Sequence, residues 1–187
     1  MRLPIIISSG HGKHVPGARC IIDEVTEARH VAERISQEIR RLGGMSGVFH
    51  EDRQTNARDN VNEIIRVHNS FLRLLDVSVH FNAVNGGRRI AGIGTETLYR
   101  EGNTEMRRLA SDVSKAITGA SGLILRRGDG TWGRTNLGFL NRTDLGKAIL
   151  LEVCFVNSET DVALYKRHFS AICAAIAATL TVWANGR

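Results

Sequence analysis

Residues 148–156 read Ala-Ile-Leu-Leu-Glu-Val-Cys-Phe-Val, an apolar run interrupted only by Glu152. A strand with one solvated face alternates apolar and polar side chains. A run this continuous belongs to a strand covered on both faces, the middle of a mainly parallel sheet. A parallel sheet in turn needs helical crossovers, and the rest of the chain supplies them. Strand patterns at Leu3–Ser8, Gly47–His50, Asp76–Asn82 and Gly94–Arg100 alternate with helical patterns from Asp23 to Leu42, Thr55 to Leu75, Asn103 to Thr118 and Ser158 to Trp183. Asp23 is placed to cap the first helix, whose Ala28, Val31, Ala32, Ile35, Ile39 and Leu42 share a face, and Gly43-Gly44 stops it. Residues 119–146 are rich in Gly, Arg and Asn and read as irregular. The expectation is an α/β fold: a single domain with a mostly parallel sheet of about six strands.

With 187 residues the chain can bury a sizeable core, and no linker or repeat divides it, so residues 1–187 are expected to form one domain without an appended binding module. Hydrophobic residues at 42% and charged residues at 24% exclude disorder as the dominant state. Lys and Arg number 25 against 19 Asp and Glu, a net charge of +6 that suits an anionic partner such as nucleic acid, a lipid surface or an acidic polymer. Cys20, Cys154 and Cys173 are odd in number and without a Cys-x-x-Cys pair, which is neither a disulfide framework nor a cysteine zinc site. The apolar run Ile5–Ile7 is too short for a secretory leader, so synthesis and folding in a cytosol are expected. No stretch is expected to reach the length of a membrane span; the longest apolar segment, Ala171–Ala184, reads as a buried helix, and no membrane insertion is expected.

In open α/β sheets, sites form beyond the carboxyl ends of strands. His11 follows the first strand in Ser-Ser-Gly-His-Gly. His80 lies near the end of Asp76–Asn82, whose alternation puts Val77, Val79 and Phe81 on one face and Ser78, His80 and Asn82 on the other. Glu24 opens the first helix, with Glu27 one turn on, and Glu152 is expected to share its face with Leu150 and Cys154. Two neutral imidazoles and a carboxylate are the ligand set of a hydrolytic zinc site, which leaves a position open for water. Burial among apolar neighbours should raise the Glu152 pKa and suit it to proton transfer, unless an arginine pairs it as a structural acid. The ligand spacings are long, 13 residues from His11 to Glu24, 56 more to His80 and 72 more to Glu152, and no His-Glu-x-x-His is present. Between Glu24 and Glu27 the residues alone do not choose.

The stretches SSGHGKHVPGA from Ser8, IIDEVTEARHVAERI from Ile21, DVSVHFNA from Asp76, GIGTETLY from Gly92 and AILLEVCFVNSETD from Ala148 follow one another in this order. Together they resemble the zinc-dependent N-acetylmuramoyl-L-alanine amidases, peptidoglycan hydrolases found as autolysins and bacteriophage endolysins. The resemblance runs from Ile5 into the last helix. It implies a twisted, mostly parallel sheet with helices on both faces. It also implies one Zn2+ per chain on His11, Glu24 and His80, with Glu152 as the catalytic proton carrier. Glu24 is favoured over Glu27 because Val31, Ala32 and Ile35 stand at the family's distances from it. Where many relatives have Asp-Pro before Gly-His, this chain has Ser8-Ser9, outside the ligand set.

The implied reaction is hydrolysis of the amide between N-acetylmuramic acid and L-alanine, with peptidoglycan as partner and action on the wall after release from the cell. Asn82 is a candidate for holding substrate or for a strand-end turn. The loop Arg126–Arg134 lacks the Lys-Ser/Thr of a phosphate-binding loop, and Arg127, Trp132 and Arg134 are candidates for substrate contact. Cys154, in a buried strand, is expected to be inert. The alternatives are another zinc hydrolase on a related scaffold, such as a peptidoglycan carboxypeptidase, and a basic nucleic-acid-binding module. The second is disfavoured because the basic residues are dispersed and aromatic residues amount to only 5%.

Overall fold

The computed structural model describes residues 3–186. Six strands form one sheet: β1 (Ile5–Ser9), β2 (Ser46–Phe49), β3 (Leu75–Asn82), β4 (Glu96–Arg100), β5 (Thr131–Arg134) and β6 (Ala148–Phe155). Five helices connect and cover them: α1 (Glu24–Arg41), α2 (Ala57–Asn69), α3 (Thr104–Ser121), α4 (Gly138–Arg142) and α5 (Glu159–Asn185). The strand order is β2-β1-β3-β6-β4-β5. β1, β2, β3 and β6 run parallel, whereas β4 pairs antiparallel with β6 and β5 parallel with β4. The expected α/β fold with a mostly parallel six-stranded sheet is therefore present, with a reversed pair at one edge.

The apolar residues of the strands split between two clusters. On one face Ile5, Ile7, Val77, Val79, Phe81, Ile149, Leu151 and Val153 pack under α1, α3 and α5. On the other, Leu98, Ala148 and Leu150 pack against Ile64 and Ile65 of α2 and Phe139 and Leu140 of α4. Four N-caps act as the sequence suggested for α1: Asp23, Asn56, Asn103 and Ser158 each accept a backbone N–H of the helix they precede.

Four expectations need correction. The helix expected to run to Leu75 ends at Asn69, because Arg73 is drawn to Asp76 by hydrogen bonds of 2.5 and 2.9 Å and the chain must enter β3 at Leu75. Residues 119–146 are not wholly irregular; they hold β5 and α4, elements too short to leave a periodic pattern. Cys154 does not share a face with Glu152. The β3–β6 register runs His80↔Glu152 and then Asn82↔Phe155, so β6 carries one extra residue there. This bulge turns Cys154 into the α1/α3/α5 core beside Val153 and brings Phe155 to the opposite face under Arg126. Finally, α5, at 27 residues, is long and apolar enough to cross a membrane by length and composition. Here its Val162, Tyr165, Ile172, Cys173, Ile176, Ala177 and Leu180 are buried in the core.

Candidate metal centre

The carboxyl ends of β1, β3 and β6 lie along one edge of the sheet, and His11, His80 and Glu152 come together there. β4 runs the other way, so its first residue, Glu96, reaches the same edge and stands opposite Glu152 in register. α1 begins beside this edge and contributes Glu24 as its first residue, where the helix dipole favours a carboxylate.

Glu24 is almost fully buried, and both of its oxygens are held. Oε2 accepts the Ala18 N–H at 2.6 Å, and Oε1 accepts the Phe81 N–H at 3.1 Å. Oε1 also lies 3.0 Å from His80 Nδ1 and 3.5 Å from His11 Nε2. One donor atom from each of His11, Glu24 and His80 lies within 4.8 Å of the others. A tetrahedral zinc with bonds of about 2.0–2.1 Å would hold its ligand atoms about 3.4 Å apart, close to the 3.0 and 3.5 Å at which Glu24 Oε1 stands from His80 Nδ1 and His11 Nε2. Glu27 is turned elsewhere: its Oε2 accepts the Tyr165 hydroxyl of α5 at 2.7 Å.

The electrostatics suit a cation. Burial and the neighbouring His80 push the His11 pKa down, which keeps its imidazole neutral and able to bind metal. Burial opposes ionisation of Glu24, but its bond to His80 and the charges of His80 and His11 hold its carboxyl below the usual range. For His80 burial acts downward, yet the Glu24 carboxylate outweighs it and raises the pKa. A proton between His80 and Glu24 thus occupies a place that a metal would take by displacing it. Two shielded polar atoms at this centre, His11 Nδ1 and Glu152 Oε2, have no hydrogen-bond partner among the described residues, as expected where a further group belongs.

Glycine is needed here for space. A Cβ on Gly10 would fall 1.8 Å from His80 Nε2, and one on Gly17 would fall 2.5 Å from Glu24 Oε2. The glycine before His11 is therefore the seat of the His80 ring.

Asn60 of α2 is a residue the sequence reading missed. It is buried, its Nδ2 donates to the Gly10 carbonyl at 3.1 Å, and its Oδ1 accepts the Gly12 N–H at 2.9 Å. One amide thus clamps the backbone on both sides of His11. Its helical spacing from Ile64 was the available signal, but a polar residue on a buried helical face does not announce its partner. If this centre holds a metal ion, Asn60→Ala is expected to weaken its retention by about 10–100-fold, as loss of a supporting contact does, measured by competition with a chromogenic chelator.

Glu152 is half-buried and faces His80 across the β3–β6 pair. Burial pushes its carboxyl up to about 8; His80 opposes the shift, and the charges of Glu24 and Glu96 add to it. Such a group can hold a proton near neutral pH and release it, which suits general acid–base work.

Beyond Glu152, the fully buried Glu96 takes Arg126 Nη1 on Oε1 and Arg127 Nε on Oε2, each at 2.6 Å. Asn82 Nδ2 lies 3.5 Å from Glu96 Oε1, while Asn82 Oδ1 accepts the Ala83 N–H at 2.8 Å, so the side chain both closes the strand end and faces this cluster. The guanidiniums of Arg127 and Arg134 lie over the Trp132 ring at 3.7 and 4.1 Å from its centre. Glu96 and Arg126 were also missed. The clue was an acid on the parity of Leu98 in β4, but its proximity to Glu152 depends on a strand direction the sequence does not state. A separate cavity of about 150 Å³ opens beside His11 and His80 and is lined on its apolar side by Val61, Ile64, Phe139 and Leu150. All three cysteines are free, Cys154 and Cys173 are buried, and burial raises both thiol pKa values, which leaves them unreactive.

A profile of the N-acetylmuramoyl-L-alanine amidase family matches residues 5–181. No curated protein matches the chain. Among solved structures, the chain is similar to the catalytic domain of the CD27L endolysin targeting Clostridia difficile, with a TM-score of 0.81 at 20% identity over 95% of this chain and 96% of that one. It is similar to the catalytic domain of CwlV, an N-acetylmuramoyl-L-alanine amidase from Bacillus (Paenibacillus) polymyxa, with a TM-score of 0.79 at 21% identity over 99% of both chains. The amidase AmiC2 of Nostoc punctiforme matches with a TM-score of 0.77 at 21% identity over 98% of this chain and 97% of that one.

Proposed function

The chain belongs to the N-acetylmuramoyl-L-alanine amidase family, peptidoglycan hydrolases, and from that premise we propose that His11, Glu24 and His80 hold one zinc ion beside Glu152 as the catalytic proton carrier. The observation that carries this reading is the convergence of three donor atoms within 4.8 Å, next to a carboxyl whose Oε2 has no partner. Zinc held there supplies a Lewis acid that polarises the amide carbonyl and acidifies a water.

The chain's own residues do the rest. Ala18 and Phe81 N–H groups fix the Glu24 carboxylate, and Asn60 fixes the loop that carries His11. Glu152 Oε2 takes a proton from the attacking water. It returns that proton to the L-alanine nitrogen as the bond to the lactyl carbonyl breaks, leaving a muramic acid carboxylate and a peptide amine. Asn82, Arg127, Trp132 and Arg134 contact the substrate. Residues 1–187 act as one catalytic unit on the bacterial wall, in the manner of an endolysin or autolysin. The +6 charge adds a salt-sensitive attraction to the anionic wall.

Digestion of purified peptidoglycan tests the reaction. New L-alanine amino termini are expected without new reducing sugar ends. Release of free D-alanine from the peptide end without new L-alanine termini would establish the carboxypeptidase alternative instead.

A further inference from the structure

The residues around Glu96 exchange no proton in the steps just described, yet they are firmly held together. Glu96 is fully buried, and its two oxygens hold two consecutive arginines at 2.6 Å. Arg127 achieves this from the left-handed region, at φ +53°, a strained conformation for a residue with a side chain. The flat faces are packed as well: Arg126 lies 4.6 Å over the Phe155 ring and Arg127 3.7 Å over Trp132. The Arg126 and Arg127 side chains nevertheless remain 24% and 37% exposed. Arg134, over the same tryptophan, donates to the neutral amide oxygen of Asn136. One carboxylate therefore holds two guanidiniums, and the surplus positive charge is half-sheltered beside the reacting centre. Fixed, edge-exposed guanidiniums suit a carboxylate.

Sheet order gives the substrate a direction. His11 follows β1, His80 is on β3, Glu152 is on β6, and Glu96 opens the next strand, β4. The scissile carbonyl belongs at the His11–Glu24–His80 centre and the scissile nitrogen at Glu152. The peptide that continues from that nitrogen then runs towards β4. Its first residue, L-alanine, offers only a methyl group. The residue after it, which in peptidoglycan bears either a free carboxylate or a carboxamide, reaches the arginines. Resting on the amidase reading, we propose that Arg126 and Arg127, held by the positioning residue Glu96, bind the free carboxylate of the residue following L-alanine, so that the enzyme selects stem peptides in which it is not amidated.

Three synthetic muramoyl-peptides test this: one with all carboxylates free, one amidated on the residue after L-alanine, and one amidated only at the peptide C-terminus. The second is expected to show a KM raised about tenfold or more, the scale of a lost charge-assisted hydrogen bond, with a much smaller change in kcat. The third should behave like the first. Arg126→Gln and Arg127→Gln should each shrink the difference between the first two. Equal KM values for the first two in the wild type, or an effect carried by the C-terminal amide, would overturn the proposal. So would discrimination undiminished in both variants.

Calorimetry with the released peptides and the wild-type protein gives an answer independent of turnover and of how the variants fold. The free-carboxylate peptide should bind at least about tenfold tighter than its carboxamide, and equal affinity would overturn the proposal. Failure to form L-alanine amino termini from any substrate would instead defeat the amidase reading, while the peptide-binding comparison still decides the carboxylate site.

Discussion

Glu152→Gln is expected to lower amide hydrolysis by about 10²–10⁴-fold, the contribution of a positioned proton carrier, while one zinc per chain and the fold are retained. The reason is specific to this site. Glutamine has the same shape but cannot take or return a proton, and Glu152 Oε2 has no hydrogen bond to lose. Stability supplies a second readout. In the metal-free folded protein the carboxyl keeps its proton up to about pH 8, whereas in the unfolded chain it releases it near pH 4.5. The unfolded state therefore binds fewer protons through that window. In the metal-free protein this group makes folding progressively less favourable as pH rises from about 4.5 to about 8. Metal-free Glu152→Gln should accordingly melt higher than metal-free wild type at pH 7, and the difference should fade towards pH 4. Loss of zinc from the variant would show that Glu152 is a ligand and not the proton carrier.

His80→Ala is expected to abolish both zinc content and hydrolysis. The wild type should carry close to one zinc per chain by elemental analysis, and the variant almost none after dialysis. His80 is one of three donors, and its removal also opens the space that Gly10 leaves for its ring. His11→Ala should behave in the same way, whereas His30→Ala should keep full zinc: His30 is a half-exposed helix residue whose Nδ1 lies 3.8 Å from Glu27. A His80→Ala protein that retained one zinc would place the metal elsewhere.

Much of the centre is legible along the chain because its determinants are local. A strand alternates side chains with a period of two, so Ser78, His80 and Asn82 had to share a face once Val77, Val79 and Phe81 were committed to the core. Asp23 caps α1 within one turn, which sets Glu24 at the helix start. Less legible was β6 beyond Glu152. The bulge that sends Cys154 inward leaves no trace in a run where every neighbour is apolar, because periodicity cannot be read without contrast. β5 and α4 span only four and five residues, shorter than any pattern.

By itself the sequence determined the covered sheet, the cap and face of α1, and the parity of His80, since each depends on neighbours a few residues apart. The tertiary structure alone decided that His11, Glu24 and His80 meet within 4.8 Å, that Asn60 grips the loop around His11, and that Glu96 stands opposite Glu152. Those meetings depend on strand order and on the reversal of β4. Order and direction are settled by which faces bury together across the whole chain, a global balance of packing that no short stretch of residues contains.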